Sequence, residues 1–210
     1  VPRDPRIPGQ EHPKVLSYVD VLLRGAPVGK SVAVVGAGGI GFDVAEFLVH
    51  GERTKGADGP DLATWMREWG VTDPEVEPGG VTKPRPEPPA RKVYLLQRKK
   101  TRPGAGLAKT TGWIHRAALK MKDVEMIAGA RYDRVDDRGL TVSFGEKGER
   151  TRLLEVDNVV LCTGQEPLRE LEAPLRAAGV KVHLIGGADV AAELDAKRAI
   201  EQGTRLAASL

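Results

Sequence analysis

Residues 31–41, SVAVVGAGGIG, constrain this chain more than any other stretch. Val32, Ala33, Val34 and Val35 form an unbroken run of small and β-branched apolar residues. Such a run reads as a strand buried on both faces, as in a parallel sheet. Gly36, Gly38 and Gly41 follow at G-x-G-x-x-G spacing, and residues 42–50 continue with helical periodicity. Strand, glycine turn and helix in that order separate a dinucleotide-binding turn from a chance cluster of glycines. The first glycine permits the tight turn, the second lets backbone approach a pyrophosphate, and the third lets the helix pack close to the strand. Amides at the helix N-terminus then face the phosphates, and the helix dipole favours their negative charge. A glycine-rich turn that holds no ligand is the alternative.

The 210 residues suffice for one large α/β domain or two small ones. A net charge of +3 is too small to argue for a nucleic-acid partner. Cys162 is the one cysteine, so the chain has no internal disulfide and no cysteine-based metal or cluster site. No apolar run approaches the length of a membrane span and no signal peptide is visible. No membrane partner and a cytoplasmic location are therefore expected. The opening VPRDPRIPG lacks an initiator Met and reads as the middle of a longer protein.

Along the chain, residues 15–23 predict a short helix ended by Gly25. Residues 51–91 interrupt the pattern as an insertion. Pro60 and Asp61 open a helix in it, with Leu62, Trp65, Met66 and Trp69 on one stripe. The stripe reads as the anchor that fixes the insertion to the core, with a partner surface as the alternative. Residues 92–96 predict a second strand, 111–122 a helix and 124–128 a third strand. Residues 130–135, 140–144 and 151–156 alternate between turn signals and predict an antiparallel meander. Residues 158–162 predict a buried strand, 168–178 a helix and 181–185 a strand, and Gly186-Gly187-Ala188-Asp189 leads into a final helix to about Leu210. The order β-α-β-α-β, hairpin, β is that of a Rossmann half interrupted by a β-meander.

The second strand ends in Gln97, Arg98 and Lys99, with Lys100 and Arg102 behind. An NAD site places a carboxylate there for the ribose 2′-hydroxyl, whereas an NADP site places an Arg nearby for the 2′-phosphate. A cationic fork and a point charge without a carboxylate favour NADP. Arg98 lies well beyond the roughly 20-residue spacing usual for that reader, because the insertion intervenes. A solvated basic loop is the alternative. Thr163 and Gly164 put backbone at the sheet's C-terminal edge, where ligands of α/β proteins lie. Gly186 and Gly187 allow close backbone approach before the last helix. Asp189 either caps that helix or accepts from a ligand hydroxyl such as a flavin ribityl chain. No Ser/His/Asp set, metal spacing or acid–base pair is present. No catalytic residue and no metal are expected, and the chemistry belongs to a cofactor.

Four stretches, VGAGGIGFDVAEFL, LLQRKKTRPGAGLAKTTGWIHRAALK, VDNVVLCTGQEP and VHLIGGADVAAELDAKRAIEQGTRLA, resemble the C-terminal part of bacterial NADPH-dependent 2,4-dienoyl-CoA reductases. The resemblance covers nearly the whole chain, and KTTGWIHR at 109–116 is its most distinctive segment. It implies an α/β chain with a Rossmann-like three-layer FAD/NAD(P)-binding fold, a parallel sheet and a β-meander crossover. Residues 1–30 would be a crossover and helix from an FAD domain, with Pro5, Arg6, Pro8 and Gly9 at the crossing. Residues 31–164 would be the NADP domain carrying the 51–91 insertion, and 165–210 the returning edge of the FAD domain.

By that resemblance Gly36, Gly38, Gly39, Ile40 and Gly41 hold the NADP pyrophosphate, and Arg98 and Lys99 its 2′-phosphate. Thr163 and Gly164 match the Thr-Gly motif of two-dinucleotide reductases, and Gly187 and Asp189 the closing flavin motif. Hydride would pass from NADPH to FAD, then electrons through a 4Fe-4S cluster to FMN, which reduces a 2,4-dienoyl-CoA thioester. The barrel with FMN and cluster, and the first FAD fingerprint, would precede Val1. The segment alone is therefore expected to bind NADPH weakly or not at all, to hold no FAD and to reduce no dienoyl-CoA. The competing readings are a segment of another old-yellow-like flavin oxidoreductase and a non-catalytic NADP-binding interaction module that uses Trp65 and Trp69.

Overall fold

A computed structural model of the chain describes residues 1–50, 61–146, 148–192 and 196–210. Contacts divide it into two units, Arg6–Cys162 and Val1–Pro5 with Thr163–Leu210.

The larger unit is built on a parallel sheet. Its strands are β1 (Val15–Ser17), β2 (Ser31–Val35), β3 (Lys92–Leu96), β4 (Glu125–Ile127) and β8 (Asn158–Leu161). They lie in the order β1-β8-β2-β3-β4, every pair parallel. The apolar run places β2 at the centre, where Val32, Ala33, Val34 and Val35 are all 0 % exposed. Strand alternation divides them between two cores. Val32 and Val34 join Phe42, Leu48, Leu95 and Leu119 on one face. Ala33 and Val35 join Leu96, Val135, Leu140 and Leu154 on the other.

The first face is covered by α1 (Tyr18–Leu22), α2 (Gly39–His50) and α4 (Gly112–Met121). The second is covered by β5 (Arg131–Asp136), β6 (Gly139–Phe144) and β7 (Arg150–Glu155), an antiparallel meander in that order. Helices, parallel sheet and antiparallel sheet make three layers, the Rossmann-like α/β arrangement expected from the strand and helix order. Each buried Val or Leu contributes about 1.5–3 kcal/mol, which fixes the strand that carries the glycine turn.

Two expectations for this unit change. Residues 15–17 form β1 rather than the start of a helix, because Leu16 finds backbone partners along β8 beside Val160. Ser17 then ends the strand and starts α1 through a capping box: Asp20 N–H donates to Ser17 Oγ (3.1 Å), and Ser17 N–H donates to Asp20 Oδ2 (2.8 Å).

The insertion helix exists as α3 (Leu62–Trp69), capped by Asp61; Pro60 lies outside the described residues. Its apolar stripe is engaged only in part, with Met66 and Trp69 half-buried. Leu62 is 71 % and Trp65 43 % exposed, while Thr64 and Glu68 face inward. The anchor is ionic: Lys122, at the end of α4, meets Glu68 at 2.7 Å. A buried lone carboxylate is costly, so the helix turns to give Glu68 its partner.

The smaller unit holds α5 (Glu172–Ala177), α6 (Gly186–Asp189) and α7 (Ala196–Ala207), with Pro2 bridged antiparallel to Gln165. The helix expected over 168–178 is thus shorter, the expected lead-in Gly186–Asp189 is itself the short helix α6, and the expected final helix is α7. The strand expected over 181–185 does not form among the described residues. Its exposure alternates, and Ile185 is extended, but no neighbouring strand completes a ladder.

Candidate dinucleotide site

In the larger unit, β2 feeds α2 and then β3, and β3 feeds α4 and then β4, so the chain steps outward on one side. It returns through β8 on the other side of β2. The strand order therefore reverses between β2 and β8, and α/β proteins bind ligands at the C-terminal strand ends at such a point. Gly36 sits there at the end of β2, and Cys162 follows β8, its N–H donating to Val35 O at 2.8 Å.

The turn after β2 needs its glycines at particular places. Gly36 has φ 115°, a region L side chains rarely adopt. Its N–H donates to Leu96 O at 2.8 Å, which ties the turn to β3. A Cβ on Gly41 would stand 1.7 Å from Gly36 O, so the third glycine is the condition for α2 to start where it does. Gly38 and Gly39 are different: both are exposed, and a Cβ on either meets nothing within 4 Å. The open space before α2 is a cradle of backbone. The first internal helix bond runs from Phe42 N–H to Gly38 O at 3.1 Å. The amides of Gly39, Ile40 and Gly41 precede it and have no partner in the helix. No acidic residue occupies the first turn of α2 to repel an anion.

β3 ends beside this cradle, and Arg98, Lys99, Lys100 and Arg102 follow, all exposed. Arg98 lies close enough to Tyr132 on β5 to act on its phenol: burial pushes that group up to about 12 against the pull of the guanidinium. Beyond them the chain folds back onto α2. Gly104 (φ 75°) packs on Phe42, where a Cβ would lie 2.7 Å from the ring. Arg116 Nη1 donates to Gly104 O at 2.9 Å. His115 Nδ1 lies 3.4 Å from Glu46 Oε2, a bridge between α4 and α2 at half-exposed positions.

The remaining sequence-derived residues lie in the smaller unit. Thr163 Oγ1 donates to Arg3 O at 3.1 Å, and Gly164 adopts φ 96°. Gly187 and Asp189 belong to α6, which is clamped from two sides. Gln202 on α7 accepts from Gly186 N–H at 2.7 Å and donates to Asp189 Oδ2 at 3.0 Å. Arg169 donates through Nε to Ala188 O at 2.6 Å and through Nη2 to Asp189 O. Sequence reading missed Gln202 and Arg169, because their partners are largely backbone groups that spacing does not reveal. The 11 named positions thus fall into two sets, Gly36, Gly38, Gly39, Ile40, Gly41, Arg98 and Lys99 in one unit and Thr163, Gly164, Gly187 and Asp189 in the other.

The residues fit a dinucleotide in the larger unit: an open backbone cradle and nearby cations suit a pyrophosphate and a further phosphate. They do not fit a cluster or a redox disulfide within this chain, since Cys162 is its one cysteine. Among the described residues no group of three or more His, Cys, Asp or Glu could hold a metal ion, and no helix is long and apolar enough to cross a membrane. Burial pushes the Cys162 thiol up to about 12. A disulfide reagent at pH 8 is therefore expected to label the folded chain roughly a hundredfold or more slower than the urea-unfolded one, because the thiolate is the reactive form. Equal rates, followed by absorbance, would show the thiol open to solvent.

A family model described as pyridine nucleotide-disulphide oxidoreductase matches residues 1–198. Solved structures share the fold. A 2-naphthoyl-CoA reductase in complex with 2-naphthoyl-CoA superposes with a TM-score of 0.68 at 18 % identity, covering 97 % of this chain and 24 % of that one. The 6-hydroxypseudooxynicotine amine oxidase of Pseudomonas geniculata N1 superposes at 0.68 with 21 % identity, covering 98 % and 26 %. The histamine dehydrogenase of Rhizobium sp. 4-9 gives 0.59 at 16 % identity, covering 100 % and 27 %. The chain thus spans about a quarter of each of these solved chains.

Proposed function

The chain belongs to the pyridine nucleotide-disulphide oxidoreductase family, and we propose that it is the NADPH-binding module of a multidomain flavin reductase. The observation that carries the reading is the pairing of an open Gly38-Gly39 cradle with a carboxylate-free cationic loop at the end of β3. NADPH supplies a hydride and FAD is its acceptor. Within this chain Gly36 and Gly41 shape the turn, and the amides of Gly39, Ile40 and Gly41 take the pyrophosphate. Arg98 and Lys99 take the 2′-phosphate. Residues 31–164 are the NADP domain. Residues 1–30 and 165–210 are the crossover and the returning edge of the FAD domain, where Gly187 and Asp189 approach the flavin; Thr163 and Gly164, at the end of the NADP domain, are the Thr-Gly motif of two-dinucleotide reductases. Asp189 keeps its second carboxylate oxygen for a ribityl hydroxyl while Gln202 holds the first.

The substrate assigned to the whole protein is a 2,4-dienoyl-CoA thioester, on the four resembling stretches, with FMN and a 4Fe-4S cluster outside these 210 residues. The similar fold in an amine oxidase favours a second reading, an electron-entry module of another old-yellow-like flavin oxidoreductase. Substrate choice then resides entirely outside the chain. The module works in the cytoplasm, with NADPH and the FAD and barrel domains as its partners.

Titration with NADPH and NADH, followed by NMR so that weak binding is still read, tests the cofactor assignment. NADPH is expected to bind at least about tenfold tighter, since a charge-assisted hydrogen bond is worth roughly 1.5–3 kcal/mol. Arg98→Ala should remove most of that preference and leave NADH binding unchanged. Equal affinity for both nucleotides in the unaltered chain would refute the 2′-phosphate role.

A further inference from the structure

Gln97 stands where β3 becomes the cationic loop, and both its backbone and its side chain are engaged. Its N–H donates to Ile127 O at 2.9 Å and its C=O accepts from Ala130 N–H at 3.0 Å, which pins the residue to the link between β4 and β5. Its side chain turns into the loop that follows. Nε2 donates to Lys99 O at 3.1 Å, to Thr101 O at 2.5 Å and, more weakly, to Thr101 Oγ1 at 3.4 Å. Lys99 O also accepts from Gly129 N–H at 3.0 Å. Two of the three side-chain partners are carbonyl oxygens, which only accept, so the position calls for an NH₂ group. A carboxylate there would set charge against two carbonyl dipoles. The loop closed in this way turns Arg98, Lys99 and Lys100 outward, all exposed.

We propose that Gln97 is the positioning residue that sets nucleotide selectivity. Its amide folds residues 97–101 into the one turn that presents Arg98 and Lys99 together, and it occupies the place where a carboxylate would accept from a ribose 2′-hydroxyl. The inference rests on the NADP reading of the loop. It places selectivity in a neutral side chain that touches no phosphate. The two cations supply the attraction, and Gln97 supplies their common direction.

Adenosine 2′,5′-bisphosphate and adenosine 5′-monophosphate, which differ by the 2′-phosphate alone, test this on the 210-residue chain, titrated by NMR so that weak binding is still read. The chain is expected to prefer the 2′-phosphorylated ligand about tenfold or more. In Gln97→Leu, with both cations intact, that ratio should fall at least about threefold while 5′-monophosphate affinity stays within about twofold. Gln97→Glu should lower it further, through both the lost donor and the new negative charge. The ratio is the readout because a general loss of structure weakens both ligands together. Gln97→Met, closer in length to glutamine, repeats the measurement if the leucine variant does not fold. An unchanged ratio in the variants overturns this inference alone. Indifference of the unaltered chain overturns the NADP reading and this inference with it.

Discussion

Gly41→Ala is expected to lower the stability of the chain by at least about 3 kcal/mol and to abolish nucleotide binding. The added Cβ would fall 1.7 Å from Gly36 O and 2.9 Å from Gly36 C, with Leu95 Cδ1 behind at 3.6 Å. Overpacking a core usually costs about 1–3 kcal/mol, because flexible side chains give way. Here the obstructing atom is backbone, in a turn held by the Gly36 N–H bond to Leu96 O. Relief requires moving either the start of α2 or the end of β2, and both are buried through Phe42 and Val35. Urea unfolding would read the loss as a lower midpoint, and thermal unfolding as a fall on the order of 6–12 °C for a chain of this size. A midpoint equal to that of the unaltered chain would show that the turn gives way to the added methyl group.

The neighbouring positions separate folding from binding. A Cβ on Gly38 or Gly39 meets nothing within 4 Å. Gly38→Ala and Gly39→Ala should therefore leave stability within about 0.5 kcal/mol, as surface changes do. They should still weaken nucleotide binding, because the methyl group enters the space a pyrophosphate would use. Adjacent glycines thus answer different questions, one about the fold and two about the ligand.

What the sequence made legible was whatever repeats at a fixed period or needs a particular backbone. The run of 32–35 announced a strand buried on both faces, and the glycine spacing announced a turn into a helix, although α2 begins at Gly39 rather than at 42. The alternation over 130–156 announced a meander. Each rests on local geometry, so local pattern suffices. The misreadings share the opposite cause. Residues 15–17 are a strand only because β8, far along the chain, lies beside them. Trp65 and Leu62 looked like an anchor by periodicity, but helical periodicity says which residues share a face, not what that face meets. Glu68 is buried because Lys122 is there to receive it. Gln97 was visible at the end of a strand, yet its hold on Lys99 O and Thr101 O depends on the turn of the loop itself. The cations were legible as chemistry, and the amide that aims them was not.

Removing one member of the Glu68–Lys122 pair is expected to release the insertion from the core. Lys122 Nζ lies 2.7 Å from Glu68 Oε1, with the side chains 5 % and 8 % exposed respectively. Lys122 also donates to Glu87 O at 2.9 Å, and Glu87 N–H donates to Glu68 Oε1 at 3.3 Å. The pair therefore joins α3, the irregular returning segment of the insertion around Glu87 and the C-terminal end of α4, where a cation is favoured by the helix dipole. Lys122→Met leaves a carboxylate buried with one backbone donor, which should cost about 3–5 kcal/mol. Glu68→Leu with Lys122→Met removes both charges and should recover to within about 1 kcal/mol of the unaltered chain. The single-variant cost falls on residues 61–90 first, because the cores around β2 and β3 are buried without them. Trypsin reads this directly. Lys83 and Arg85 are each followed by proline, so Arg67, in the middle of α3, is the basic residue of 61–90 after which the enzyme cuts. Cleavage there should accelerate about a hundredfold or more in Lys122→Met, tracking the opened population, and return towards the original rate in the double variant. Additive single effects below about 1 kcal/mol would show that the apolar face of α3, not the ion pair, holds the insertion in place.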